Sequence, residues 1–334
     1  MNLIILVIPN FNLAATMSFL DPFRAANYLE GEGMFSWRLA SLDGGPCPAS
    51  NGAMIMTEAL SSISGNFDLV IMSSSWAPEQ FFKPRLLAFL QKMAASGSTM
   101  GALDTGAFLL ARAGLLKGRR ATVHYEHIDA MAEMFPDVDV REELFVFDGK
   151  RITCCGGAAA TDFALQIIHK DQGGRLSSAA ARYIFHGEIR GEGARQNPEF
   201  ADPLGNTIPS SVRRAIAEME RHLEVPVPIP QICAEVRTSQ RQLDRLFKRY
   251  VGKAPASYYS DIRLDRARGL VTQTGMPLSA VAIASGFAGH AQFSRAYRER
   301  FGLRPSDDRV QGRIPFEYRA WPMHPKRKPT TQSG

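Results

Sequence analysis

The feature that most narrows the fold of this chain is a rhythm in its first 110 residues, where short apolar runs alternate with longer helical ones. "LIILVI" (residues 3–8), "FSWRLASL" (35–42), "FDLVIMSS" (67–74) and "STMGAL" (98–103) have the length and β-rich composition of strands. Between them, residues 14–29 and 78–95 carry helical spacing. Nearly continuous apolar strands separated by helices predict a parallel sheet with helices on both faces, an α/β sandwich. "LFVFDGKRITCCGG" (Leu144 to Gly157) predicts a hairpin turning at Asp148-Gly149, and "AAATDFALQIIHKD" after it predicts another helix.

The rhythm stops near residue 187. "GEIRGEGARQNPEFADPLGNTIPS" is rich in Gly, Pro, Asn and Asp and reads as a linker over 187–210. It separates an α/β domain (1–186) from an all-α domain (211–310), followed by a basic, Pro-rich tail (311–334). Charge divides in the same way. From Asn206 onward there are 22 Lys and Arg against 11 Asp and Glu, and before it 17 against 22. A net of +11 beside a net of −5 points to a module that meets a polyanion, joined to an acidic module with another task.

Some classes are excluded early. No apolar run approaches the roughly 20 residues of a membrane span, so no membrane partner is expected. The opening "MNLIILVIPNF" lacks a basic flank and a cleavage site and reads as a buried strand, not a signal peptide. Cys47, Cys154, Cys155 and Cys233 show no metal-ligand spacing, which fits a reducing, cytoplasmic compartment and predicts no metal or cofactor. Cys154 and Cys155 lie in an apolar run and are expected in the core.

In the basic half, "IPQICAEVRTSQRQLDRLFKRYVG" (Ile229 to Gly252) reads as a short helix, a tight turn and a second helix. Ser239 with Gln242 three residues on is a capping box that fixes the second start. Leu243, Leu246, Phe247 and Tyr250 make one apolar face, and the other presents Gln240, Arg241, Asp244, Arg245 and Lys248. Such a helix suits the major groove, where Arg and Gln read base edges and Lys meets phosphate.

The unit recurs. "LSAVAIASGFAGHAQFSRAYRERFG" (Leu278 to Gly302) buries Phe293, Tyr297 and Phe301 and presents His290, Ala291, Ser294, Arg295 and Arg298. Between the copies, Leu264, Ala267, Leu270 and Val271 mark a connecting helix. Two recognition helices on one side of B-DNA must enter grooves about 34 Å apart, so a stiff connector has a mechanical purpose.

Over about 100 residues this region resembles the AraC/XylS DNA-binding domain. "RLDRA" in the connecting helix and "GFAGHAQFSRAYRERFGLRP" carry that resemblance in order and spacing. It implies sequence-specific binding to double-stranded promoter DNA, with Arg241 and Arg245 on the first recognition helix and His290, Ala291 and Arg295 on the second. Arg237 stands in the first turn where the family often has Gly; a left-handed residue there costs on the order of 1 kcal/mol, too little to abolish the fold.

"STMGALDTGAFLL" reads as strand, sharp turn and helix, with Asp104 at the turn. With Cys or Ser such a turn is a nucleophile elbow, because helix N-terminal amides stabilise a thiolate or oxyanion. Residues 2–185 resemble the PfpI-like branch of the class I glutamine amidotransferase superfamily, through "LIILVIPNF", "FLDPFRAAN", "GALDTGAFLLARAGLLKGRRATVHYEH" and "CCGGAAATDFAL". The resemblance puts Asp104 at the enzymes' Cys position, Asp21 at their helix acid and His124 at their His. The assistants have counterparts and the nucleophile does not. Thr105 has no predictable base beside it.

Together the halves resemble the GlxA-type branch of AraC/XylS regulators. That implies no enzymatic activity and a pocket that binds a small molecule without turnover. Asp104 pairs with a cation in this reading, Trp76 in "SSSWAPEQ" and Phe11 add aromatic faces, and Thr105, Asp21 and His124 complete the effector site. Relatives with a similar elbow govern arginine, carnitine or glycine betaine use, which suggests a cationic or quaternary amine. Homodimerisation and contact with RNA polymerase complete the expected partners. Three alternatives stand beside it: a hydrolase or deglycase-like enzyme localised by its helical module, an architectural DNA binder without a ligand, and an Asp104 that only caps its own helix.

Overall fold

The structure, a computed structural model, describes residues 1–31, 33–196 and 209–311. Half of the expected linker (197–208) and all but the first residue of the expected tail lie outside them. The chain divides into two compact units, the first comprising 1–196 and the second with its described residues at 209–311.

The first unit runs β1 (Asn2–Val7), α1 (Leu13–Glu30), β2 (Ser36–Ser41), β3 (Gly45–Pro48), β4 (Met54–Ala59), β5 (Leu69–Ser73), α2 (Pro84–Ala95), β6 (Thr99–Leu103) and α3 (Gly106–Arg112). It continues with β7 (Arg120–Ala121), α4 (Ile128–Met134), β8 (Asp139–Val140), β9 (Phe145–Asp148), β10 (Arg151–Cys154), α5 (Ala159–Gln172) and α6 (Gly174–Tyr183). One eight-stranded sheet has the order β3-β4-β2-β1-β5-β6-β10-β9. Its inner six strands are parallel, and β3 and β9 pair antiparallel at the two edges.

The pleat sorts β1 between two cores. Leu3, Ile5 and Val7 join Phe19, Phe23 and Phe163 under α1 and α5, whereas Ile4, Leu6 and Ile8 join Leu90, Phe108 and Leu110 under α2 and α3. Burial on both faces is why β1 reads as an unbroken apolar run. The expected hairpin is present as β9 and β10, with Arg151 opposite Asp148. The stretch expected as one helix over 78–95 is instead a 3₁₀ turn at Pro78–Phe81 followed by α2. Pro84 explains the break, because a proline disfavours helical geometry in the residue before it.

The first unit also extends past residue 186. Buried Asp162 on α5 accepts from His186 Nε2 at 2.7 Å and from the Arg190 backbone N–H at 2.9 Å, and pairs with the Arg190 guanidinium. Gln196 Nε2 donates to the Val123 carbonyl at 2.8 Å. Gly and polar composition suggested a linker here, but this segment's polar groups are spent on the α/β domain.

The second unit contains α7 (Ser210–Arg221), α8 (Ile229–Glu235), α9 (Gln240–Tyr250), α10 (Pro255–Gln273), α11 (Leu278–Ala284), α12 (His290–Phe301) and α13 (Pro305–Gln311). It has two small cores. Leu243 and Phe247 of α9 pack with Ile232 of α8 and Met219 of α7; Phe293 and Tyr297 of α12 pack with Val281 of α11. The 19 residues of α10 serve both, Tyr259 in the first and Leu264, Ala267, Leu270 and Val271 in the second. At 1.5 Å per residue α10 is roughly 28 Å long, a rigid connector of the expected kind.

Candidate functional site

In the helical unit, α8–α9 and α11–α12 are two helix-turn-helix units. Ser239 Oγ accepts from the Gln242 N–H at 3.3 Å and fixes the start of α9. Residue by residue, 240–250 and 290–300 show one and the same sequence of exposed, partly buried and buried positions. The repeat therefore extends from sequence to packing. Gln240, Arg241, Arg245 and Lys248 are exposed on α9, and His290, Ala291 and Arg295 are exposed on α12. Arg245 and Arg295 hold the same place in the two helices. So do Gln242 and Gln292, both exposed, which sequence reasoning used only as a cap or passed over. Comparing the two copies position by position would have found them.

Each turn needs one left-handed residue. Arg237 takes φ +54° in the first, and Gly286 φ +73° in the second. Only Gly286 is also enclosed: a Cβ there would strike the Leu223 carbonyl oxygen and lie 2.5 Å from Pro226 Cγ. Behind α12, Tyr297 Oη donates to Asp308 Oδ2 at 2.7 Å and Arg268 Nε donates to the same oxygen at 2.9 Å. Asp308 is fully buried, so this network ties α10, α12 and α13.

In the α/β unit, Asp104 sits at the carboxyl end of β6 with φ +57°. Its backbone N–H donates to the Cys154 carbonyl at 3.0 Å. Two glycines make room for the bend. A Cβ on Gly106 would run into the Met72 carbonyl oxygen, and one on Gly156 would lie 2.9 Å from Asp104 Cβ. These are the backbone devices of a nucleophile elbow, built around a carboxylate.

That carboxylate is 4 % exposed. Asn12 Nδ2 donates to it at 3.0 Å, while Asn12 Oδ1 accepts the Ala15 N–H and starts α1. Burial pushes the Asp104 carboxyl above its ordinary range; the nearby His124, the Asn12 amide, the Thr105 N–H and the Ser75 hydroxyl pull the other way. The elbow thus gathers residues from the ends of β1, β5, β6 and β10, where ligands of open α/β sheets bind. Asn12 and Ser75 were missed by sequence reasoning; the signal for Asn12 was its place as an N-cap before an amphipathic run.

Other expected effector residues are placed differently. Thr105 is fully buried, its hydroxyl bonded to the Ser75 carbonyl and 2.9 Å from Ser74 Oγ, so it braces the elbow and faces no solvent. Phe11 is fully buried in the core under α1, and its backbone bridges Ala49 and Ser75. It offers no open aromatic face. Trp76 is half-buried in the loop after β5, and His124 is half-exposed. Asp21 lies nine residues beyond Asn12 on α1, about 13 Å along the helix. It pairs with Arg24 at 2.6 Å and lines a separate cleft of about 560 Å³ with Met17, Trp37, Ile184 and His186. The residue of α1 that reaches the elbow is Asn12.

Cys154 and Cys155 are buried as expected, and burial with its Cys155 neighbour raises the Cys154 thiol well above its ordinary range. Among the described residues no helix is long and apolar enough to cross a membrane.

Duplicated helix-turn-helix units on a shared helix, beside an α/β domain whose elbow carries a buried carboxylate, define a DNA-binding regulator with a companion domain of nucleophile-elbow architecture. The comparisons agree. Residues 5–170 match the "DJ-1/PfpI family" and 232–311 the "Helix-turn-helix domain". The chain is 37% identical over 305 residues to the HTH-type transcriptional regulator CdhR of Pseudomonas aeruginosa, covering 91% of this chain and 90% of that protein. It is 37% identical over 304 residues to the HTH-type transcriptional regulator GbdR of the same species, covering 91% and 83%. The crystal structure of an AraC family transcriptional regulator from Pseudomonas putida superposes with TM-score 0.51 at 22% identity, covering 55% of this chain and 98% of that one, which shows the fold of the first unit. The chain belongs to the HTH-type transcriptional regulators that join a DJ-1/PfpI domain to an AraC-type DNA-binding domain. It is a transcriptional regulator.

Proposed function

We propose that this regulator reads promoter DNA with α9 and α12, as a cytoplasmic homodimer in contact with RNA polymerase, and that its α/β domain holds a small cationic or quaternary amine without turning it over. Arg241, Arg245 and Arg295 read base edges; Gln240, His290 and Ala291 face the groove, and Lys248 meets phosphate. The observation that carries the sensor reading is the buried Asp104 carboxylate, held in an elbow and raised by desolvation. A cation brought against it relieves that desolvation, and half-buried Trp76 and His124 border the approach. A ligand that binds one arrangement of the protein better than another then shifts promoter occupancy.

A second placement is favoured by the cleft on α1, where Asp21 and Trp37 present a carboxylate and an aromatic face. Calorimetric titration of the full chain with arginine, carnitine and glycine betaine separates the two. Loss of binding in Asp104→Asn with retention in Asp21→Asn supports the elbow; the reverse supports the cleft. Absence of binding by all three amines in the parent chain refutes the amine reading, and Asp104-dependent hydrolysis of any of them refutes the sensor.

A further inference from the structure

Beside the elbow, "HYEH" leaves the end of β7 and enters α4. Among the described residues, His124, Glu126 and His127 form the one group of three or more His, Cys, Asp or Glu side chains whose ligand atoms all lie within 4.8 Å of one another. We infer that these three side chains bind a divalent transition metal of the Zn²⁺ class at the rim of the elbow, independently of any amine.

The local fold explains why they converge. A single 3₁₀ turn over Tyr125–His127 brings positions 124 and 127 to one side, since side chains three apart eclipse in this helix. The two imidazoles meet edge to face with centroids 6.1 Å apart. His127 is buried with its ring edge against Phe108, 6.1 Å between centroids, so one ligand is held by the core. His124 Nδ1 lies 3.9 Å from Glu126 Oε2. Tetrahedral zinc with bonds of 2.0–2.2 Å needs ligand atoms about 3.4 Å apart. The ligand atoms lie within 4.8 Å of one another and close on half-exposed His124 and exposed Glu126; the Glu126 N–H directed at His124 Nδ1 at 3.5 Å is given up if that nitrogen takes the metal.

The chemistry of the set is selective. Two imidazoles and one carboxylate suit zinc, nickel, cobalt or copper and not calcium or magnesium, which require more oxygen ligands. Three protein ligands leave a fourth position for water or for a donor atom of another molecule. The four cysteines are all buried and none belongs to this group, so a thiol site is a separate matter that the test must distinguish.

The test uses the full chain, stripped with EDTA, given one equivalent of Zn²⁺ and desalted, with retained metal measured by mass spectrometry and affinity by competition with a zinc dye. Expected is one zinc per chain, with no retention of Mg²⁺ or Ca²⁺. Glu126→Gln and His124→Gln should each lower affinity by at least the 10- to 100-fold lost when a partner outside the ligand set is removed. His127→Ala should do the same, but its ring is packed in the core; the two exposed-side variants therefore carry the decision, with circular dichroism confirming their fold. Failure of the parent chain to retain zinc overturns the proposal. Retention by Glu126→Gln and His124→Gln equal to that of the parent also overturns it, and places the metal elsewhere.

Discussion

Gly286→Ala tests whether the second helix-turn-helix unit is fixed by its turn, because the structure separates two costs that usually come together. Alanine at φ +73° must adopt left-handed backbone, at about 1–2 kcal/mol. Its methyl must also displace the Leu223 carbonyl or Pro226, and overpacking of a closed site costs about 1–3 kcal/mol. The sum is about 2–5 kcal/mol. Gly302, which caps α12 at the same φ, has nothing within 4 Å of a built Cβ, so Gly302→Ala isolates the backbone cost at about 1–2 kcal/mol. Arg237→Gly works in the opposite direction, since it removes left-handed strain and adds about 0.5–1 kcal/mol of glycine entropy, leaving a small net gain. Native-state hydrogen exchange of the full chain measures all three locally, on α11 and α12 peptides for the two glycine variants and on α8 and α9 peptides for Arg237→Gly. Gly286→Ala should accelerate exchange by roughly 30- to several-thousand-fold at 1.4 kcal/mol per decade, Gly302→Ala by roughly 5- to 30-fold. If Gly286→Ala and Gly302→Ala came out equal, the packing of Leu223 and Pro226 against the turn would have no energetic meaning.

Matched Arg245→Ala and Arg295→Ala should each weaken binding to a selected operator by about 1–3 kcal/mol while barely changing scrambled DNA; equal losses on both DNAs would remove them as base readers. Lys248→Ala should weaken both DNAs alike and flatten the salt dependence. Tyr297→Phe deletes a hydrogen bond to a buried carboxylate and should cost about 1.5–3 kcal/mol in urea unfolding, with an effect under 0.5 kcal/mol refuting the network. The Cys47 thiol, pushed up to about 11 by burial, should react with iodoacetamide slowly at pH 8 in the folded chain, tenfold faster per pH unit until that value is reached. Fast pH-independent labelling would contradict its burial.

What the sequence disclosed follows from how far each signal reaches along the chain. The central strands were legible because β1 and β5 are buried on both faces and so carry uninterrupted apolar residues. Edge strand β3 and its neighbour β4 were not: Gly45–Pro48 contains two prolines, and β4 alternates exposed with partly buried positions. The recognition helices were legible twice over, by period and by repetition. The elbow was legible as a turn, but its ligation by Asn12 spans 92 positions and leaves no local trace. That Asp21 lines a cleft apart from Asp104 was not legible for a related reason, since a motif on α1 gives a helix face but not which turn of the helix reaches β6. The segment 187–196 reads as linker because its hydrogen bonds are to Asp162, Thr122 and Val123, all distant in sequence.

The same geometry bears on whether Asp104 merely caps α3. Ordinary caps in this protein, Asn12 and Ser239, sit in extended backbone at φ −79° and −77° and accept an N–H from the third position on. The N-cap of α3 is Thr105, which makes no side-chain capping bond, and Asp104 precedes it in left-handed backbone. Capping needs neither that conformation nor the clearance provided by Gly106 and Gly156. Left-handed strain of about 1–2 kcal/mol here holds a carboxylate that bonds across the strand ends, to Asn12 Nδ2 at 3.0 Å, in place of a cap. Donors from Asn12, Thr105 and Ser75 surround the carboxylate from within the fold, and in the proposed function a positively charged group adds to them from outside. Asp104→Asn separates the two roles, since it leaves the backbone strain in place and removes the charge that the proposed amine would meet.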